Sequence, residues 1–171
     1  MMNDRLYNMT ETQGWFHSAQ AGFRKGKGCD DQIGRLIQKI QDGFQQKPFQ
    51  RSIIVLLDFS KAYDTVWKEK LLISLQDQGV PSIYVHWLSN FLSNRIARVR
   101  MNGTLGKVTM QQGLPQGSVL SPILFLFYIN NLAKILPQET INSLFADDVT
   151  LLATALTPSK KQKVSARDQL T

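Results

Sequence analysis

Cysteine is all but absent. Cys29 stands alone in 171 residues, so no internal disulfide can form, and with His17 and His86 as the only histidines there is no ligand set for a structural zinc. Folding must rest on packing alone. Long apolar runs are missing too: the longest spans Ile123 to Ile129, far short of the ~18 residues a membrane helix requires. No membrane partner is expected. The opening Met1-Met2-Asn3-Asp4-Arg5 lacks the apolar core of a signal peptide, which makes an intracellular protein the expectation. A Walker A loop fails because Lys27 stands where the second glycine after Gly22 is needed, and no G-x-S-x-G elbow occurs. Acid is scarce: 13 Asp+Glu face 20 Lys+Arg, a formal charge of +7. With 43% apolar and 19% charged residues the chain is not compositionally disordered. Its length fits one domain or a piece of a larger one.

The pattern along the chain predicts α+β structure. Residues 3–18 read as helical, and 19–28, with three glycines and three cations, as a loop. Ile33, Leu36, Ile37, Ile40 and Phe44 recur at helical spacing, and Pro48 closes that helix. Residues 52–57 (SIIVLL) form a continuous β-branched run, the signature of a strand buried on both faces, and Asp58 lies where it leaves the core. A second helix is expected after Asp64, with Val66, Leu72 and Leu75 inward, Asp64 as its N-cap, Trp67 in the core and Gly79 at its end. Pro81 opens a third that buries Trp87, Leu88 and Phe91. Residues 95–101 alternate, and Asn102-Gly103 predicts a tight hairpin into 104–110. Residues 118–136 read as one long helix, and 141–146 with 149–153 as a hairpin carrying Asp147-Asp148 at its tip.

Adjacent aspartates mean little alone, since Asp30-Asp31 at a helix start reads as N-capping. Asp147 and Asp148 differ in their surroundings. They sit among Leu144, Phe145, Ala146 and Val149, with no Lys or Arg between Lys134 and Lys160. Two carboxylates in apolar company repel each other and lose hydration. A divalent cation answers this, with Asp58 as a third carboxylate, and hard oxygen ligands suit Mg²⁺. The competing reading is that these aspartates end strands in solvated turns. No acid lies between Gln78 and Gln138, whereas Arg95, Arg98, Arg100, Lys107 and Lys134 do. With Arg24, Lys25 and Lys27 they form a candidate phosphate-binding surface, or merely a solvated basic face. GLPQGSVLSP at 113–122 frees backbone for a ligand and puts Gln116 near a helix N-terminus, or is simply a capped loop.

Taken together these segments resemble the reverse transcriptases of non-LTR (LINE-type) retrotransposons. QAGFRKGKGCDDQI at 20–33 resembles the Q-x-G-F-R block and VLLDFSKAYDTVW at 55–67 motif A. GLPQGSVLSPILFLFYINNL at 113–132 is similar to motif B, and FADDVTLL at 145–152 to motif C. The resemblance implies a right-hand polymerase palm, a small antiparallel sheet backed by helices, with part of the fingers. Residues 1–171 would be one partial domain: 1–50 fingers-side helices, 51–157 the palm with motifs A, B and C, and 158–171 a basic truncated tail. Asp58 and Asp147, with the Phe59 carbonyl, would bind two Mg²⁺ or Mn²⁺ ions, and Asp148 would complete the acidic cluster.

By the same resemblance Tyr63 excludes a ribose 2′-hydroxyl, Gln116 lines the incoming nucleotide, and the backbone at Lys61 and Ala62 approaches its triphosphate. Implied partners are an RNA template, a DNA primer and deoxynucleoside triphosphates, in the nucleus or a cytoplasmic ribonucleoprotein. The earlier fingers segment and the thumb have no counterpart here, and Gly28 stands where the family commonly has Ser or Thr. The expectation is a palm-centred piece of a larger element protein. The alternative is a truncated, catalytically inactive nucleic-acid-binding remnant. An RNA-dependent RNA polymerase is disfavoured by the bulk of Tyr63.

Overall fold

The computed structural model describes residues 1–137 and 140–156, with only the backbone of Leu156; the tail expected at 158–171 lies outside them. Helix α1 spans Met2–Gln13 and stops earlier than its pattern suggests, because Gly14 takes a left-handed φ of 63° and caps it through Thr10. Helix α2, Cys29–Gln45, starts where Asp31 Oδ2 accepts the Gly28 N–H at 3.0 Å, the capping role expected of this acidic pair. Helices α3 (Lys68–Asp77) and α4 (Ser82–Leu92) follow, separated by Gly79 at φ 85° and by Pro81.

Among the described residues, two antiparallel sheets accompany the helices. Strand β1 (Gln50–Leu57) pairs with β5 (Asp148–Leu156), and β5 with β4 (Ile141–Phe145), in the order β1-β5-β4. The second sheet is the hairpin β2 (Ile96–Met101) and β3 (Thr104–Thr109). Its turn bears out the Asn-Gly signal, with φ of 48° at Asn102 and 81° at Gly103, both positive as a tight two-residue turn requires.

The main core lies between helices. Leu71 and Leu75 of α3 and Leu88 and Leu92 of α4 are buried with Leu6 of α1 and Leu124, Phe125 and Phe127 of α5 (Ser121–Ile129). Each such side chain contributes roughly 1.5–3 kcal/mol. A smaller cluster, Ala19, Ala133, Leu144 and Val149, sits under the three-stranded sheet.

Several expectations are corrected. The long helix breaks at Asn130: α5 ends at Ile129 and a single turn, α6, covers Leu132–Ile135. The Asn130 amide is pulled inward instead, accepting from the His17 N–H at 2.9 Å and donating to Trp15 O at 2.7 Å and Gln78 Oε1 at 2.9 Å. Strand β1 is not buried on both faces; it is the sheet's edge, and Leu56 is 75% exposed. Besides its partner β5, helix α2 lies against β1. Trp87 is also exposed, stacked on Phe91 at 5.6 Å. Trp67 is 59% exposed and is itself the N-cap residue of α3, which removes it from the core and Asp64 from the cap.

Candidate active site

Two strands deliver the carboxylates. The β1–β5 register ends at Leu57 opposite Val149, so Asp58 leaves β1 beside the start of β5, where Asp148 pairs with Phe145. Asp147 sits in the turn between β4 and β5, next to Ala146, whose φ of 56° is left-handed. This turn separates the two aspartates. Asp147 lines a cavity of about 700 Å³ together with Asp58, Phe59, Lys61, Ala62, Tyr63 and Gln116. Asp148 lines a smaller one of about 350 Å³, shared with Asp58 and walled by Ile33, Leu36, Leu57 and Phe145. One face of the hairpin tip therefore serves each cavity.

The loop that follows Asp58 is tied to the loop that carries Gln116. Leu114 N–H donates to Tyr63 O at 2.7 Å, and Gly113 N–H to Val66 O at 2.8 Å. Gly113 has a φ of 85°, and a Cβ there would come within 2.7 Å of Asp64 O, so glycine is required twice over. Asp64 has a different role from the expected cap: its Oδ1 accepts from Gln116 Nε2 at 2.8 Å. Ser121 Oγ donates to Pro115 O at 2.6 Å and fixes the same loop to the start of α5. Tyr63 stacks on Phe125, and among the described residues its buried hydroxyl has no hydrogen-bond partner. Burial, and then the charge of Asp147, pushes its pKa up to about 12.

Of the candidate basic residues, Lys134 is exposed on α6 and the others fall into two places. Arg98 and Arg100 are exposed on the β2–β3 hairpin, Arg98 directly opposite Lys107. Arg95 is half-buried over the Phe91 ring, at 5.2 Å. The hairpin is anchored by Lys68, whose Nζ donates to Met110 O at 2.6 Å; burial, then Arg95, lowers the pKa of that amine. In the loop at 19–28, Lys25 is exposed and Lys27 half-buried, its pKa lowered first by burial and then by Arg24. Arg24 is turned inward: its side chain is 7% exposed and pairs with both carboxylate oxygens of Glu11, at 2.8 and 2.7 Å. Its guanidinium is thus occupied inside the chain. Phe23, at φ 53°, also lines the larger cavity; sequence reasoning missed it, although it lies within the Q-x-G-F-R segment.

Among the described residues no three His, Cys, Asp or Glu side chains gather closely enough to hold a metal by themselves. The expected three-carboxylate cluster is therefore not assembled, because Asp148 opens onto the second cavity. Two carboxylates facing one cavity still fit Mg²⁺, which commonly takes one or two carboxylates and completes its sphere with water and substrate phosphates.

Residues 1–168 match the family described as reverse transcriptase (RNA-dependent DNA polymerase). The probable RNA-directed DNA polymerase from transposon X-element of Drosophila melanogaster is 30% identical over 149 residues, which cover 85% of this chain and 16% of that protein. The corresponding protein from transposon BS of the same organism is 32% identical over 141 residues, covering 78% of this chain and 15% of that one. The chain thus spans about 15–16% of these relatives' length. Telomerase from Candida albicans has the same fold over 99% of this chain and 31% of its own, with a TM-score of 0.62 at 13% identity.

Proposed function

The chain belongs to the reverse transcriptase (RNA-dependent DNA polymerase) family, and we propose that it forms the palm-centred core of a non-LTR retrotransposon's RNA-directed DNA polymerase. Its fold is the palm type: mixed helices and small antiparallel sheets. One observation carries the functional reading, the convergence of Asp58, Asp147, Tyr63 and Gln116 on a single cavity. We read residues 1–50 as fingers-side and 51–157 as palm. The substrates are an RNA template, a DNA primer and deoxynucleoside triphosphates, met in the nucleus or in a cytoplasmic ribonucleoprotein.

In this reading Asp58, the Phe59 carbonyl and Asp147 hold two Mg²⁺ or Mn²⁺ ions. Bound there, the ions supply the positive charge that nucleotidyl transfer needs at its attacking and leaving oxygens. The chain's own residues position the reactants. The backbone at Lys61 and Ala62 receives the triphosphate, Gln116 is held by Asp64 against the incoming nucleotide, and the Tyr63 ring fills the place of a ribose 2′-hydroxyl. Lys25, Arg98 and Arg100 offer exposed charge to nucleic-acid phosphates. Phosphate contacts position a nucleic acid without reading its sequence.

The test is to graft residues 1–168 in place of the matching segment of a retrotransposon polymerase and follow Mg²⁺-dependent extension of a DNA primer on an RNA template. Extension that disappears in Asp58→Asn and Asp147→Asn is expected; extension that survives both would refute the assignment. A second reading, a non-catalytic nucleic-acid-binding remnant, draws on the exposed charge of Arg98, Arg100 and Lys107. A graft that binds the primer–template but never extends it selects that reading.

A further inference from the structure

The Q-x-G-F-R segment holds a residue to which the chemistry above gives no part. Gln20 is only 4% exposed, and its amide bonds both to the turn that carries Asp147 and to its own loop. Oε1 accepts from the Ala146 N–H at 3.0 Å and from the Gly22 N–H at 2.8 Å, and Nε2 donates to Ala146 O at 3.4 Å. The backbone beside it is stitched to β4, with Ala21 N–H donating to Leu144 O at 2.8 Å and Leu144 N–H to Ala19 O at 3.0 Å.

Ala146 needs such support. A left-handed φ at a residue with a Cβ is strained unless its surroundings hold it. Gly22 lies so close that a Cβ on it would meet Ala146 N at 2.2 Å, so the turn is also walled from one side. Behind Gln20 stands Arg24, whose Nη1 donates to Gln20 O and His17 O, each at 3.2 Å, while Glu11 grips the rest of the guanidinium.

From this we infer that Gln20 is a positioning residue for Asp147: its amide holds Ala146 in the left-handed turn that aims the Asp147 carboxylate into the larger cavity, with Gly22 as the wall and the Glu11–Arg24 pair as the brace. The inference rests on the polymerase reading of Asp147 and deepens it. It gives the order Gln20, Gly22, Arg24 a mechanical meaning. Gln supplies an acceptor and a donor on one planar group, Gly allows the approach, and Arg reaches two carbonyls and a carboxylate at once.

The experiment uses the whole 171-residue chain. Amide hydrogen exchange is followed by NMR at Gly22, Ala146 and the core residue Leu124, and Mn²⁺ affinity by electron paramagnetic resonance. Gln20→Ala should speed exchange at Gly22 and Ala146 by about tenfold or more while Leu124 stays protected, and should weaken Mn²⁺ binding about tenfold, as loss of a group that orients a metal ligand does. In an Asp147→Asn background the same change should weaken Mn²⁺ no further. Unchanged exchange at Ala146, or an equal Mn²⁺ loss with and without Asp147, overturns the proposal. Should Gln20→Ala also release Leu124, Gln20→Glu decides: its carboxylate keeps both N–H bonds, so protection at Gly22 and Ala146 is expected to persist, and tenfold faster exchange there overturns the proposal. Absence of Mn²⁺ binding in the unaltered chain counts against the metal reading of Asp58 and Asp147, and the exchange data then judge the Gln20 clamp alone.

Discussion

The Tyr63 ring lies stacked on Phe125, with centroids 4.8 Å apart and planes 20° from parallel. Phe125 is a buried residue of α5, so the stack ties the tyrosine to the main core while Tyr63 still lines the cavity. In the grafted polymerase, Tyr63→Ala should raise the ratio of ribonucleotide to deoxynucleotide incorporation by roughly tenfold. A ratio that does not move would place the discrimination elsewhere.

The same ring makes alkaline stability a test of its burial. An exposed tyrosine ionises near ~10, whereas burial and then Asp147 push Tyr63 up to about 12. Below pH ~10 both folded and unfolded forms are neutral and Tyr63 adds no pH dependence. As pH climbs from about 10 toward about 12, the unfolded chain loses this proton before the folded one, so folding stability falls. Urea midpoints measured across that window should drop less in Tyr63→Phe than in the unaltered chain. Parallel curves would show that the phenol is not held neutral.

Asn130 makes three hydrogen bonds where the sequence suggested an uninterrupted helix, to Trp15, His17 and Gln78. Asn130→Leu restores helical character but strands a buried N–H and a carbonyl. It should cost about 2–4 kcal/mol in chemical denaturation, as unsatisfied buried polar groups do. A stability gain would mean that helix continuity outweighs this junction.

How far the sequence went can be judged at such places. Elements set by local chemistry were legible: the Asn102-Gly103 turn, the capping Asp31, the α2 periodicity and the hairpin around Asp147. Elements decided by distant partners were not. Nothing local shows that Asn130 would turn toward Trp15 and Gln78, or that Asp64 would hold Gln116 52 residues away. Arg24 read as a phosphate ligand because charge counts cannot reveal a partner at Glu11. The apolar run of β1 correctly reported a strand; it could not report which faces other residues cover, and β1 lies at a sheet edge. The carboxylates were legible as a group, yet their division between two cavities follows from the turn geometry at Ala146.

On the β2–β3 hairpin Arg98 faces Lys107 directly across the strands, a like-charge pair that destabilises the ladder unless an anion lies over it. The chain should therefore bind RNA or DNA with strong salt dependence and little sequence preference. Replacing both Arg98 and Arg100 by alanine should flatten the log–log salt slope by about 1.4–1.8, at ~0.7–0.9 per contact. Filter binding at several salt concentrations checks this; an unaltered slope would remove the hairpin from the interface.

The central claim is that Asp58 and Asp147, brought to one cavity from two strands, form a divalent-cation site for nucleotidyl transfer. Isothermal titration of the 171-residue chain with Mn²⁺ tests it most directly. Saturable binding is expected, weakened at least tenfold but not abolished by Asp147→Asn and likewise by Asp58→Asn, as when one of two carboxylate ligands is lost. Equal Mn²⁺ affinity in the unaltered chain and both variants would contradict it.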